Sequence, residues 1–202
     1  MKEKVPKRTN AKLRFAAGGS CEVLSLDGKG TEYALDTGRE NNIMENKLKV
    51  LVVTMFLDTG FLTDDEIQLR LEKTADGDAE KKWLPAYHFA VCDKQGREMG
   101  ICDLRIGHNV NTYYGGNIGY RIQEEYRGHH FAGKACLLLF ELAKIHSMDY
   151  LIITCNPDNY ASRKTCEYVG CHLVEIVELP EDNNMRVEDG ETEKCIYRIE
   201  MK

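Results

Sequence analysis

The sequence predicts a mixed α/β domain in which helices pack on a sheet. Three observations carry that expectation. Residues 87–92 and 99–106 read as strands flanking Asp93-Lys94-Gln95-Gly96, a hairpin turn. Residues 150–155 form a short continuous apolar run, the pattern of a strand buried on both faces. Between them, Ala132, Cys136, Leu139 and Ala143 recur on one helical face, widened by Leu138 and Leu142.

In chain order, residues 1–46 contain Gly18-Gly19, Gly28-Lys29-Gly30 and Arg39-Glu40-Asn41-Asn42 between short apolar pieces. They read as an extension in which residues 21–26 and 32–35 form a small hairpin packed on the domain. Residues 47–202 read as a single domain. Its first segment, 47–56, is a strand or a buried helix, between which periodicity does not decide. Thr63-Asp64-Asp65-Glu66 has the N-cap and first-turn carboxylates of a helix start, with Ile67, Leu69 and Leu71 following. Residues 109–115 read as a polar and aromatic loop and 116–122 as the next strand. Residues 159–169 make a second helix after the break at Pro157. Strands at 173–178 and 195–201 close the chain, joined by the acidic loop 180–193. There are no internal repeats.

Composition excludes several classes. A chain of 202 residues, 43% apolar and 30% charged, is one ordinary globular domain. A net charge of −6 without a dense basic run argues against nucleic acid. No segment approaches the ~18–20 apolar residues of a membrane helix. The N-terminal run Met1-Lys2-Glu3-Lys4-Val5-Pro6-Lys7-Arg8 lacks an apolar signal core, so a cytoplasmic protein is expected. The eight cysteines are scattered and include no C-x-x-C pair, which predicts reduced thiols and no metal site. Cys92, Cys102, Cys136 and Cys155 sit among apolar residues and read as core side chains.

The segment richest in chemistry is Gly116-Asn117-Ile118-Gly119-Tyr120-Arg121-Ile122, then a loop, then the helix. A loop opening a helix presents unpaired N–H groups and the positive end of the helix dipole, a ready site for phosphate. Small residues at Gly128, Ala132 and Gly133 allow close approach, and Arg127 and Lys134 flank the loop. Residues 128–135 spell G-x-x-x-x-G-K-A, one residue from a nucleotide P-loop. Ala135 stands where that motif needs a magnesium-binding hydroxyl.

The loop and the downstream Asn159-Tyr160-Ala161-Ser162-Arg163-Lys164-Thr165-Cys166-Glu167-Tyr168-Val169-Gly170 together resemble the GNAT family of acyl-CoA-dependent N-acetyltransferases. Arg127 and Ala132 match the ends of that family's Gln/Arg-x-x-Gly-x-Gly/Ala loop, with His130 at the central Gly. Asn159, Ser162, Glu167 and Gly170 match its later pattern. The resemblance spans residues 87–175 and looks most like the branch acetylating protein N-termini and ribosomal proteins.

It implies a mixed, mostly antiparallel central sheet with a splay at the acyl-CoA site and helices on both faces. It implies acetyl transfer from acetyl-CoA directly to a primary amine of a protein or small molecule, without metal and with a homodimer compatible; a non-catalytic acyl-CoA-binding module is the alternative. The backbones of Tyr120 and Ile122 would meet the pantetheine arm. Arg127, Gly128, His129, His130, Phe131, Ala132, Gly133 and Lys134 would hold the phosphates, and Asn159 would brace the arm. Ser162 fits the proton donor of the branch, and Cys166 stands where many members carry a Tyr. Thr154 occupies the place of a Glu base found in some relatives. Asp103, Arg105 and His108 are the candidates for the amine side.

Overall fold

A computed structural model describes the strands Ala11–Phe15 and Cys21–Ser25 and residues 56–201. The chain divides into two compact units, Met1–Val53 and Thr54–Lys202. In the first, β1 (Ala11–Phe15) pairs antiparallel with β2 (Cys21–Ser25), Phe15 opposite Cys21. The strand expected at 21–26 is therefore present, but its partner is 11–15. The segments expected at 32–35 and 47–55 lie outside the described residues.

The second unit runs β3 (Ile67–Ala75), β4 (Ala86–Asp93), β5 (Glu98–Arg105), α1 (Val110–Gly115), β6 (Ile118–Ile122), a 3-10 turn (Glu124–Tyr126), α2 (Phe131–Ile145), β7 (Tyr150–Cys155), α3 (Tyr160–Tyr168), β8 (His172–Glu178), α4 (Asn184–Asp189) and β9 (Glu193–Glu200). It builds two antiparallel sheets, one ordered β3-β4-β5-β6 and one ordered β7-β9-β8. The 93–96 turn closes with Gly96 at φ 84°, and the Asp93 carboxylate accepts the amides of Gln95 and Arg97.

Three sequence expectations are corrected. The segment after Thr63 is strand β3, not a helix. Asp64 accepts from the amides of Glu66 and Ile67 at 2.7 Å each, and Ile67 and Leu69 are buried with Gln68 between them half-buried. The same cap residue thus opens a turn into a strand, and period-two burial decides the outcome. The loop expected at 109–115 contains α1, whose N-cap Asn109 forms a capping box with Thr112. The acidic connection 180–193 contains α4, begun at Asn183 and ended by Gly190 at φ 71°.

Helix α2 packs against β3, β5 and β6 and buries Ala135, Cys136, Leu139, Phe140, Leu142 and Ala143. Each fully buried large side chain contributes about 1.5–3 kcal/mol. Strand β7 is buried along most of its length, as its unbroken apolar run requires. Cys92, Cys102, Cys136 and Cys155 are buried and free, in line with the sequence reading.

The two sheets meet where β6 begins. Asn117, completely buried, donates its backbone amide to Ile152 O (2.6 Å) and accepts the Ile152 amide on Oδ1 (3.0 Å). Its Nδ2 donates to Arg105 O (3.2 Å) and Gly107 O (2.7 Å). Gly116, at φ 75°, permits the approach, since a Cβ there would lie 3.2 Å from Ile152 O and Thr154 N. Beyond this link β6 and β7 belong to separate ladders.

Candidate functional site

The gap between β6 and β7 is where the backbone is available. Asn117 O accepts from Arg105 and Gln123 N donates to Met99 O, so the odd-numbered residues of β6 point their polar groups at β5. The amides and carbonyls of Tyr120 and Ile122 consequently face the β7 side. Ile122 O accepts the Arg127 guanidinium at 3.2 Å, which ties the loop back to the strand end.

Side chains from β6 and α3 converge at this gap. Asn159 caps α3 by accepting the Ser162 amide at 3.1 Å. That cap places the Ser162 hydroxyl 2.7 Å from the Tyr120 hydroxyl. Burial, reinforced by the thiols of Cys166 and Cys136, pushes the Tyr120 hydroxyl far above its ordinary pKa, so it stays protonated. Cys166, where many family members carry a Tyr, is completely buried in the core. The neighbouring Cys166, then Ser162, lowers the Cys155 thiol, whereas Cys155, then burial, pushes Cys166 up. This proximity has no local sequence signal, because Cys155 ends β7 and Cys166 lies on α3.

The loop has the form of an anion cradle. Gly128 sits at φ 86° with open space where a Cβ would be, and His130 at φ 59° is the left-handed N-cap of α2. A backbone in that region explains why glycine is usual there, and His130 turns its ring onto Tyr168, centroids 4.8 Å apart. His129 stacks on Phe131 at 5.6 Å. Among the described residues, the amides of residues 128–133 donate to no carbonyl, whereas Lys134 N donates to His130 O. Gly133 is required by contact: a Cβ would lie 2.5 Å from Tyr168 Cδ1. Lys134 ion-pairs with Glu66 and lies 5.8 Å over the Phe131 ring. A diphosphate fits this arrangement, with amide donors at the helix start and no side chain over Gly128.

On the other face of the first sheet, Asp103 lies opposite His88 on β4 and Gly119 on β6. Its carboxylate fills the space a Gly119 Cβ would need, 2.6 Å from Oδ2. Arg105 ion-pairs with Asp103 Oδ1 at 3.0 Å and reaches Gly116 O at 3.3 Å. That ion pair is not aligned as a hydrogen bond, and Oδ1 is a buried oxygen without a hydrogen-bond partner among the described residues. His108 does not join them. It stacks on Tyr150 at 3.9 Å, with Arg198 over the other side of the system at 3.8 Å from that ring. Burial, then Arg198, lowers its pKa. His88, overlooked in the sequence, joins Asp103 only through strand register.

Residues 51–172 match the family model of the acetyltransferase (GNAT) domain. A search of the curated proteins finds no match. Among solved structures, the chain is similar to the microcin C7 self-immunity acetyltransferase MccE, determined with acetyl-CoA and AMP. The identity is 20%, covering 57% of this chain and 61% of that one, with a TM-score of 0.46. It is similar to a GNAT-family acetyltransferase from Bacillus anthracis at 17% identity, covering 56% and 66%, TM-score 0.45. It is also similar to the ribosomal-protein-S5-alanine acetyltransferase from Vibrio fischeri at 17% identity, covering 58% and 62%, TM-score 0.47. The chain thus spans somewhat under two thirds of the length of these proteins. Because the domain match covers more than half of its residues, this chain belongs to the acetyltransferase (GNAT) family, with two antiparallel sheets and four helices in its described second unit.

Proposed function

We propose that the chain transfers an acetyl group from acetyl-CoA directly to a primary amine of a protein or small molecule. The observation that carries this reading is the Tyr120–Ser162 hydroxyl pair at the gap where β6 presents unpaired backbone. In this reading the 128–133 amides hold the diphosphate and Arg127 and Lys134 add positive charge beside it. The pantetheine arm lies along Tyr120 and Ile122, and Asn159 acts by fixing the start of α3. The amine attacks the thioester carbon, the C–N bond forms and the C–S bond breaks. The Ser162 hydroxyl gives its proton to the departing thiolate and is restored by the proton that the amine nitrogen loses, while the Tyr120 hydroxyl, 2.7 Å away and kept protonated, orients it. Cys166 has no comparable access, being completely buried. Asp103 and Arg105 serve the amine side. Among the described residues no helix is long and apolar enough to cross a membrane, and we place the activity in the cytoplasm with residues 47–202 as the acetyltransferase domain.

Calorimetric titration with acetyl-CoA, followed by mass spectrometry of the complex without amine, tests the reading. Binding without an acetylated enzyme supports it. Absence of binding refutes it, and a stoichiometric acetyl adduct on a cysteine would replace direct transfer by a two-step route.

A further inference from the structure

The backbone changes sides at Asn117. In a regular strand the N–H and C=O of one residue turn to the same neighbouring strand. Asn117 instead sends its N–H to Ile152 O on β7 at 2.6 Å, while its C=O accepts the Arg105 amide of β5 at 2.8 Å. Arg105 holds this turn from both flanks. Its carbonyl accepts Asn117 Nδ2 at 3.2 Å, and its guanidinium donates to Gly116 O at 3.3 Å. Asp103 aims that guanidinium from 3.0 Å away. The carboxylate has little room to swing, since Asp103 Oδ2 lies 2.6 Å from where a Gly119 Cβ would be.

Beyond this turn lies the gap. Ile152 gives its amide and its carbonyl to Asn117, so by alternation Thr154 is the next β7 residue to face β6. Gly116 sits against it, because a Cβ there would lie 3.2 Å from Thr154 N. Moving residues 116 and 117 therefore alters the first open rung and, through the strand, the place of the Tyr120 and Ile122 backbone.

Resting on the acetyltransferase reading above, we propose that Arg105, aimed by Asp103, is a positioning residue that sets the gap between β6 and β7 and so governs binding of the pantetheine arm. This work is additional to the pair's place on the amine side. Arg105 acts through Gly116 and Asn117 rather than by touching the thioester. The phosphate loop is tied to the opposite end of β6, where Arg127 donates to Ile122 O at 3.2 Å. A fault at Arg105 is thus felt by the arm of the ligand and not by its nucleotide end, a selectivity that a merely structural role would not produce.

Calorimetric titration of the full chain with two probes reads this selectivity. The probes are acetyl-CoA and adenosine 3′,5′-bisphosphate, which carries the nucleotide end of CoA without the arm. Arg105→Met keeps the stem but removes the donors; it is expected to weaken acetyl-CoA about tenfold and to leave the bisphosphate nearly unchanged. Arg105→Lys, which retains a donor for Gly116 O, should recover part of the loss. Gly119→Ala displaces the Asp103 carboxylate with Arg105 intact and should give a smaller loss of the same kind. Retained bisphosphate binding shows that each variant is folded. Equal loss of both probes in Arg105→Met, or acetyl-CoA affinity equal to the parent's, overturns the proposal. Gly119→Ala without the selective loss overturns the part given to Asp103. A parent that binds acetyl-CoA but not the bisphosphate removes the selectivity on which the proposal stands. If the parent binds no acetyl-CoA, the acetyltransferase reading itself fails.

Discussion

Replacing Asn117 with Ala tests whether one side chain holds the two sheets together. The change leaves the Ile152 amide, on a residue only 7% exposed, without its acceptor, and deprives Arg105 O and Gly107 O of a donor. An unsatisfied buried donor costs about 1–3 kcal/mol, and each lost hydrogen bond about 0.5–1.5 kcal/mol. A loss of about 3 kcal/mol results, a large share of a typical total of about 5–15 kcal/mol. Urea unfolding should show this as a lower midpoint at unchanged slope, and Tm should fall by about 6–12 °C. Asn117→Asp supplies the contrast: it keeps an acceptor for Ile152 but turns oxygen toward two carbonyls, so it is also destabilised at neutral pH and partly recovers on acidification. If Asn117→Ala loses less than about 1 kcal/mol, the sheets are joined by packing alone and the argument from the amide fails.

Ser162→Ala should lower turnover about 10–100-fold with acetyl-CoA affinity nearly unchanged, whereas Cys166→Ala should mainly reduce unfolding stability by opening a core cavity; equal effects on turnover would remove the distinction. Gly133→Ala drives a methyl into Tyr168 and should cost about 1–3 kcal/mol of stability, measured by urea, together with weaker acetyl-CoA binding. Burial lowers the pKa of His146, which shares a 2.8 Å hydrogen bond with Tyr87. Its neutral form is favoured in the folded state, so the stabilisation is present above the unfolded pKa of 6.5 and is lost as pH falls toward the folded value. Melting temperatures from pH 7.5 to 5 should therefore decline, and less steeply in His146→Gln. Acetyl transfer should survive treatment with a chelator, since the described residues hold no group of three or more metal-ligating side chains; loss restored by one divalent ion would overturn this.

What could be read from sequence was what is encoded locally. The 93–96 hairpin, α2 and β7 each carry their own period or turn chemistry within a dozen residues. The loop that opens α2 was legible as a unit for the same reason: its glycines, its flanking basic residues and the helix are contiguous. The helix expected after Thr63 failed because an Asp side chain accepting from the next amides serves a turn into a strand as well as a helix cap. Helix α1 escaped notice because six residues are too few to show a period. Pairs set by tertiary structure were invisible in principle: Tyr120 and Ser162 are 42 residues apart, and His88 meets Asp103 only through the β4–β5 register.

A sheet that stops pairing halfway across is ordinarily a hazard, because bare strand edges recruit other chains. Here two edges left unpaired among the described residues, β6 and β7, lie inside one molecule, joined at Asn117 and forming no ladder beyond it. The same chain cannot relieve the vacancy by sliding a strand, since β6 is locked to β5 and β7 to β9. Among the described residues no strand supplies the missing rung, and in the reading proposed above the bound thioester's arm does. On that proposal, an extended ligand carrying amide groups would complete the hydrogen bonding that the fold withholds from itself, and would be selected by mimicking a peptide strand before any chemistry begins.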